Sequence, residues 1–390
     1  MKSSVRWLVP VAVAATVAGG VAVSSAQAGS TPDLPSSTPA AVLASVAGSS
    51  VTALSGTVVT RVDLGLPALD GITGSSGAAD ASDPAGLVTR LLSGRNTVRV
   101  WADGPTRQRA QLLDPFSELD VVRNGDQVWT YTSRGNAVQH GTVPAHPAGK
   151  DAAGKTTGTA TPSPSATELT PAAMASRAIA AADPTTAVTL GTPEQVASRK
   201  AYTLTLTPRT TATLVGRIVI AVDAQKGVPL RVQVFARGHA QPSIETGFTS
   251  IDFATPSADR FTFTPPPGAT VKPLETPTSA ASSAAKSLPA ADRPTVTGTG
   301  WTSVVTVPAG ALMAMAAAAP SGSGTPSAPS GALSGKGTAQ GLAALQALTT
   351  ATPAGRGLST ALVSLLLTDD GRILVGAVPL KTLVDAATAK

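Results

Sequence analysis

The sequence predicts a mainly antiparallel β fold with a few helices (α+β), and three observations predict it. Short runs of alternating apolar and polar residues recur along two stretches of the chain, the period-two pattern of half-buried strands. Turn signals such as Asp103-Gly104-Pro105 and Asn124-Gly125-Asp126 separate the runs, and links this short join antiparallel neighbours, because a parallel crossover needs a longer connection. Ahead of each stretch stands a Thr-Pro pair leading into an Ala-rich run, an N-cap with proline at the first helical position.

Taken in order, Thr38 caps a helix over 40–47, which Gly48 stops. A strand over 55–64 sets Val58, Thr60, Val62 and Leu64 against Thr57, Arg61 and Asp63. Residues 67–93 form a Gly/Ser/Ala/Asp loop with a short apolar turn at 87–92. Strands over 97–103, 106–113, 118–123, 127–132 and 137–142 make a first meander, in which Asn124-Gly125 is the clearest hairpin signal. Residues 145–167 are a low-complexity insert, expected to be disordered. A second helix over 171–182 follows Thr170-Pro171, and the second meander runs through 200–207, 216–223, 229–237, 243–253 and 260–263. After a linker over 273–294, the extension 295–390 carries a strand at 301–307 and a Pro/Gly/Ser-rich loop at 320–341. It continues through a short helix at 342–348, a hairpin of 360–368 with 372–378, and a last helix at 380–387. Leu362, Leu365, Leu367, Ile373 and Val375 need burial, so hairpin and helix are expected to pack against the main sheet.

Composition excludes several functions. The 390 residues include no cysteine, so there is no disulfide, thiolate metal site or cysteine nucleophile. Charged residues are 13% of the chain and aromatics 3%, and the 42% apolar content is chiefly Ala, Val and Leu. The three histidines, His140, His146 and His239, are too few and too scattered for a multi-histidine metal site. Although Lys and Arg number 29 against 23 Asp and Glu, no block of like charge builds a nucleic-acid stripe.

The N-terminus sets the expected compartment. Lys2 and Arg6 precede an apolar stretch over 8–23, and Ala26-Gln27-Ala28 closes it as a small-x-small site. Residues 1–28 therefore read as a secretory signal peptide cleaved after Ala28. The protein is expected outside the cytoplasmic membrane, in the periplasmic, cell-wall or extracellular space. With no cysteine at the cleavage point, no lipid anchor is expected.

Motifs of catalytic type have bland explanations. Gly149, Gly154, Lys155 and Thr156 match the phosphate-binding loop GxxxxGK[ST]. That loop works only between a buried strand and a helix N-terminus, and here both flanks are linker, so no nucleotide is expected. Ser283 and Lys286 match SxxK without the partner motifs of serine enzymes. Asp369-Asp370-Gly371 reads as a hairpin turn, because no calcium-loop pattern surrounds it. No catalytic residue, metal or cofactor is assigned, and an enzyme is not expected.

Five stretches in order resemble the LolA family of exported lipoprotein carriers: LSGT at 54–57, VRVW at 98–101 with Pro105, VVRNGDQVWTY at 121–131, YTLTLTP at 202–208 and RFTFTPPPGATV at 260–271. The resemblance spans 38–272, and the Ala/Thr/Gly/Pro bias suggests an actinobacterial-type member with a C-terminal extension. It implies a strongly curved, unclosed β-barrel, shared with anti-sigma-factor regulatory proteins, with helices on its concave side. It also implies that a lipid or acylated lipoprotein occupies an apolar cavity. The chain has Gly104 where the family has a basic residue tied to lid closure, with Arg107 and Arg109 nearby.

Strand parity nominates the cavity: Val58, Val62, Val98, Val100, Val121, Val128, Leu204, Leu206, Ile218, Ile220, Val232, Val234 and Phe248. A core closed by helices would produce the same alternation. The leading expectation is a non-enzymatic carrier or binder of lipid or lipoprotein acyl chains. The alternative is an envelope sensor that contacts a membrane-anchored anti-sigma factor, and an exported hydrolase is a third class.

Overall fold

The computed structural model describes residues 32–65, 94–114, 117–143, 185–274, 289, 292–311 and 349–389. The expected signal peptide, the insert at 145–167 and the helices expected at 171–182 and 342–348 lie outside these residues. So do the loops expected at 67–93 and 320–341, and both motifs at 149–156 and 283–286.

Helix α1 (Pro39–Ala47) starts as its residues dictate: Thr38 is extended, its hydroxyl accepts the Ala41 N–H at 3.1 Å, and Pro39 needs no N–H partner. The first meander follows as β1 (Ala53–Val62), β2 (Gly94–Asp103), β3 (Arg107–Asp114), β4 (Ser117–Asn124), β5 (Gln127–Thr132) and β6 (Ala137–Thr142). At the Asn124-Gly125 signal, Asn124 pairs with Gln127 across a two-residue turn, with Gly125 at φ 66°.

The second stretch opens with two strands that the sequence reading lacks, β7 (Thr186–Leu190) and β8 (Glu194–Val196). It then runs through β9 (Arg199–Pro208), β10 (Val215–Asp223), β11 (Pro229–Ala236) and β12 (Ile244–Asp252). The β8–β9 hairpin turns on Ala197 and Ser198 at φ 50° and 62°, left-handed positions without the usual Gly or Asn, so no turn signal marks it.

The strand expected at 260–263 is a 3-10 turn, Ala258–Phe261. Phe261 is 1% exposed, and Phe263 lies 5.6 Å from Trp129 and 6.1 Å from Tyr131. Aromatic burial on the first meander sets this segment's course, and Pro265, Pro266 and Pro267 lack the N–H groups to extend a ladder there. The chain pairs later, at β13 (Thr270–Pro273), which lies parallel to β6. That pairing departs from the antiparallel rule because it is not a local link.

These strands form one 13-stranded sheet, ordered β13-β6-β5-β4-β3-β2-β1-β12-β11-β10-β9-β7, with β8 added to β9. Its outermost strands, β13 and β7, do not pair with each other, so the barrel is curved and unclosed. A second, six-stranded sheet comprises β14 (Thr295–Thr297), β15 (Val304–Val307), β16 (Thr350–Thr352), β17 (Gly355–Ser359), β18 (Ser364–Thr368) and β19 (Ile373–Gly376). Helix α2 (Leu380–Thr388) packs on this second sheet, Leu383 meeting Leu366, Leu374, Val378 and Val304. The expectation that hairpin and helix both pack on the main sheet is thus corrected. Of the five residues that need burial, only Leu362 reaches the main core. Leu365, Ile373 and Val375 are half-buried on the face away from α2, and Leu367 is 45% exposed.

Candidate functional site

Register shows where the nominated residues go. Val58 stands opposite Val98 and Phe248, and Val62 opposite Ile244. Ile244 pairs with Val234 and Thr246 with Val232; these two valines pair with Ile218 and Ile220, which pair with Leu206 and Leu204. On the other side, Val100 pairs with Ala110, Ala110 with Val121, and Val121 with Thr130, two residues from Val128. All thirteen share one face because residues directly opposite across a ladder point the same way.

Their surroundings divide that face. Leu204, Leu206, Ile218, Ile220 and Val232 are buried in a cluster with Val42 of α1, Val222 and Leu362, and Val234 and Ile244 pack against it half-buried. There the face is a filled core. Val58 and Phe248 are buried in an adjoining cluster with Leu230, against which Val100 packs. Val62, Val98, Val121 and Val128, outside both clusters, and Val100, at the edge of the second, are half-buried.

The face has features that strand parity did not nominate. Leu112 and Leu119 pair with each other and continue its apolar surface, as do Val188 and Leu190 of β7. Parity would have found the first two; the others lie in a strand that carries no clear alternation. A polar line crosses between the apolar rows, formed by Asn96, Thr60 and Thr246, with the Thr60 and Thr246 hydroxyls 3.0 Å apart. Further along, the buried Thr132 hydroxyl has no hydrogen-bond partner among the described residues.

The opposite face of the first meander is aromatic and charged. Trp101, Arg109, Val122, Trp129 and His140 form one row across β2 to β6. His140 stacks on Trp129 at 3.7 Å and meets Gln127 Oε1 at 2.8 Å, so it is used structurally. Arg109 donates to both Asp120 oxygens, at 3.0 and 2.6 Å, and to the Arg260 carbonyl. Burial pushes the Asp120 carboxyl above its ordinary value, although Arg109 pulls it down. Arg107 pairs with Asp103. Neither arginine serves the apolar face as a latch, since both lie across the sheet from it.

The two ends of the covered half differ. At one, β1 begins, α1 ends and β10 turns into β11, enclosing a polar cleft of about 570 Å³ lined by Ser45, Ser49, Ser50, Thr52, Lys226 and Phe253 among others. Beneath it Asp223, 1% exposed, accepts from Arg199 and from the Gln225 and Lys226 N–H groups at 2.9 and 2.7 Å. Burial raises its pKa, but these donors outweigh burial and hold the carboxyl below its ordinary value. At the other end, the second sheet's loops meet the strand termini. Ala377 O accepts the Leu214 N–H at 2.8 Å and the Thr213 hydroxyl at 2.7 Å. Ala361 N–H reaches Leu64 O at 2.9 Å, and Trp301 Nε1 reaches the Thr186 hydroxyl at 2.7 Å.

The remaining candidates are structural or lie outside the described residues. His239 is exposed in the turn after β11, and His146 is not among the described residues. Asp370 bonds Thr368 and Arg372 within its own hairpin turn, and these donors, Thr368 foremost, lower its pKa although desolvation opposes them. Among the described residues no group of three His, Asp or Glu could hold a metal ion.

The architecture is thus an open, curved antiparallel sheet with an apolar face crossed by α1 and closed at one end by a second module. No family model matches the chain, and no curated protein matches it. Among solved structures, it is similar to the MucA/MucB complex of Pseudomonas aeruginosa at 17% identity, covering 90% of this chain and 96% of that one, with a TM-score of 0.40. It is also similar to an uncharacterized conserved protein of Thermus thermophilus, at 13% identity, 60% and 98% coverage and a TM-score of 0.32. For a LolA superfamily protein of Nitrosomonas europaea the values are 9%, 58%, 99% and 0.21.

Proposed function

We propose that the protein is an exported, non-catalytic binder of acyl chains, taking lipid or the acyl groups of a lipoprotein on the apolar face of the open sheet. The observation that carries this reading is the common face of the thirteen nominated residues, together with the half-buried state of Val98, Val100, Val121 and Val128 outside the cluster that holds Val42 of α1. Apolar surface left partly wet gains about 0.8 kcal/mol for each methylene that covers it. No covalent step is required of such a site, and binding and release suffice.

Native mass spectrometry of the purified mature protein, followed by organic extraction, tests the reading. A co-purifying lipid or acyl peptide is expected. A clean protein mass, with no uptake of added lipid or acylated peptide, would overturn it. Export is tested by sequencing the N-terminus of the mature protein, which is expected to begin at Gly29.

A second reading makes the protein an envelope sensor for a membrane-anchored regulatory protein, such as an anti-sigma factor. It is favoured by the second module, whose sheet leaves Val296, Val305 and Leu367 37–54% exposed on the face away from α2. A stable complex with such a regulator, unaffected by lipid extraction, would favour it over the first.

A further inference from the structure

Resting on the acyl-binding reading above, we propose that the C-terminal module is a built-in plug: Leu362 occupies the end of the apolar face, and an acyl chain bound there displaces it. Leu362 is 4% exposed and belongs to the cluster formed by Leu204, Leu206, Ile218, Ile220 and Val232. An acyl chain that runs from the half-buried rows of the face into this filled half would have to take the place of Leu362, a branched aliphatic group of the same chemistry.

The loop that presents it is shaped in advance. The Thr360 hydroxyl donates to Val363 O at 2.8 Å and accepts the Val363 N–H at 3.1 Å. That turn leaves Val363 37% exposed while Leu362 points inward. These two bonds lie within the loop itself, so it can withdraw and return as a unit.

The attachment is built for release. No strand of one sheet pairs with a strand of the other. Among the described residues the polar tethers include loop contacts: Ala377 O with Leu214 N–H and the Thr213 hydroxyl, Ala361 N–H with Leu64 O, and Trp301 with Thr186. Water can replace each of them when the module lifts. The module retains its own core of Val304, Leu366, Leu374, Val378 and Leu383, so undocking does not require it to unfold.

The test uses the full mature chain and a dansyl-labelled dodecanoic acid, titrated into wild type, Leu362→Ala and Lys381→Ala. The plug predicts that Leu362→Ala binds the probe about tenfold more tightly, because no side chain has to be expelled. Lys381→Ala, on an exposed residue of α2 in the same module, is expected to match wild type. A second readout needs no variant: in wild type saturated with probe, amide exchange at Leu214 and Ala361 accelerates, since both amides donate across the junction. Equal affinity of wild type and Leu362→Ala, with both amides still protected at saturation, overturns the plug and leaves acyl binding standing. Weaker binding by Leu362→Ala makes Leu362 part of the ligand's wall and also overturns the plug. Absence of uptake by all three proteins overturns the acyl-binding reading and the plug with it.

Discussion

Gly56 shows how one missing side chain shapes the sheet. A Cβ at this position would lie 2.4 Å from the Ser250 carbonyl and 3.0 Å from the Phe248 ring. The β1–β12 register shifts beside it, between Thr57 and Val58, so backbone and ring crowd into the space that glycine leaves. Gly56→Val is expected to cost about 3 kcal/mol through this overlap, read as a lowered denaturation midpoint at unchanged slope. Asp223 makes a prediction of a different kind. Its folded-state pKa is held below 3.8, so its contribution is full above that value and is lost as pH falls through the lower, folded one. Asp223→Ala is expected to remove about 3 kcal/mol at neutral pH, because Arg199 and two turn amides lose their acceptor. The loss relative to wild type shrinks as the pH is lowered. Asp120 has the opposite sign: its raised pKa gives a contribution present at low pH and lost as pH rises through the folded value. Unfolding midpoints of Asp120→Asn and wild type measured across acid pH check that slope.

At the scale of elements, local signals and packing decide different things. The Thr38 cap, Pro39 and the Asn124-Gly125 turn act through bonds a few residues long, and α1 and the β4–β5 hairpin stand where those residues place them. Thr38→Ala is expected to cost about 1 kcal/mol, since one N–H at the helix start loses its acceptor; thermal unfolding checks it. The 3-10 turn at Ala258–Phe261 behaves otherwise. Its sequence alternates like a strand, but Phe261 gains more by burial and Phe263 by covering Trp129 and Tyr131 than a ladder would return. The β8–β9 hairpin was illegible for the reverse reason: Ala197 and Ser198 hold left-handed conformations that the packed strands on either side impose.

For the whole molecule, the consequence is two sheets with separate cores, joined by loops and by the side chains of Leu362 and Trp301. Leu362→Asp would bury an unpaired carboxylate among aliphatic side chains, so undocking is the cheaper outcome. Calorimetry of this variant is expected to resolve two unfolding transitions where docking had coupled them. Alternation by itself marked the thirteen residues of the apolar face, because side-chain direction in a strand has period two whatever the strand packs on. Local signals also placed most strands and α1, since turn chemistry and capping act over a few residues. What covers each part of that face was a tertiary matter. Val42, Leu362 and Trp301 arrive from segments distant in sequence, and a side chain buried by a helix has the same pattern as one left half-wet. Period fixes direction, while burial depends on which distant surface arrives, and only the folded chain contains that information.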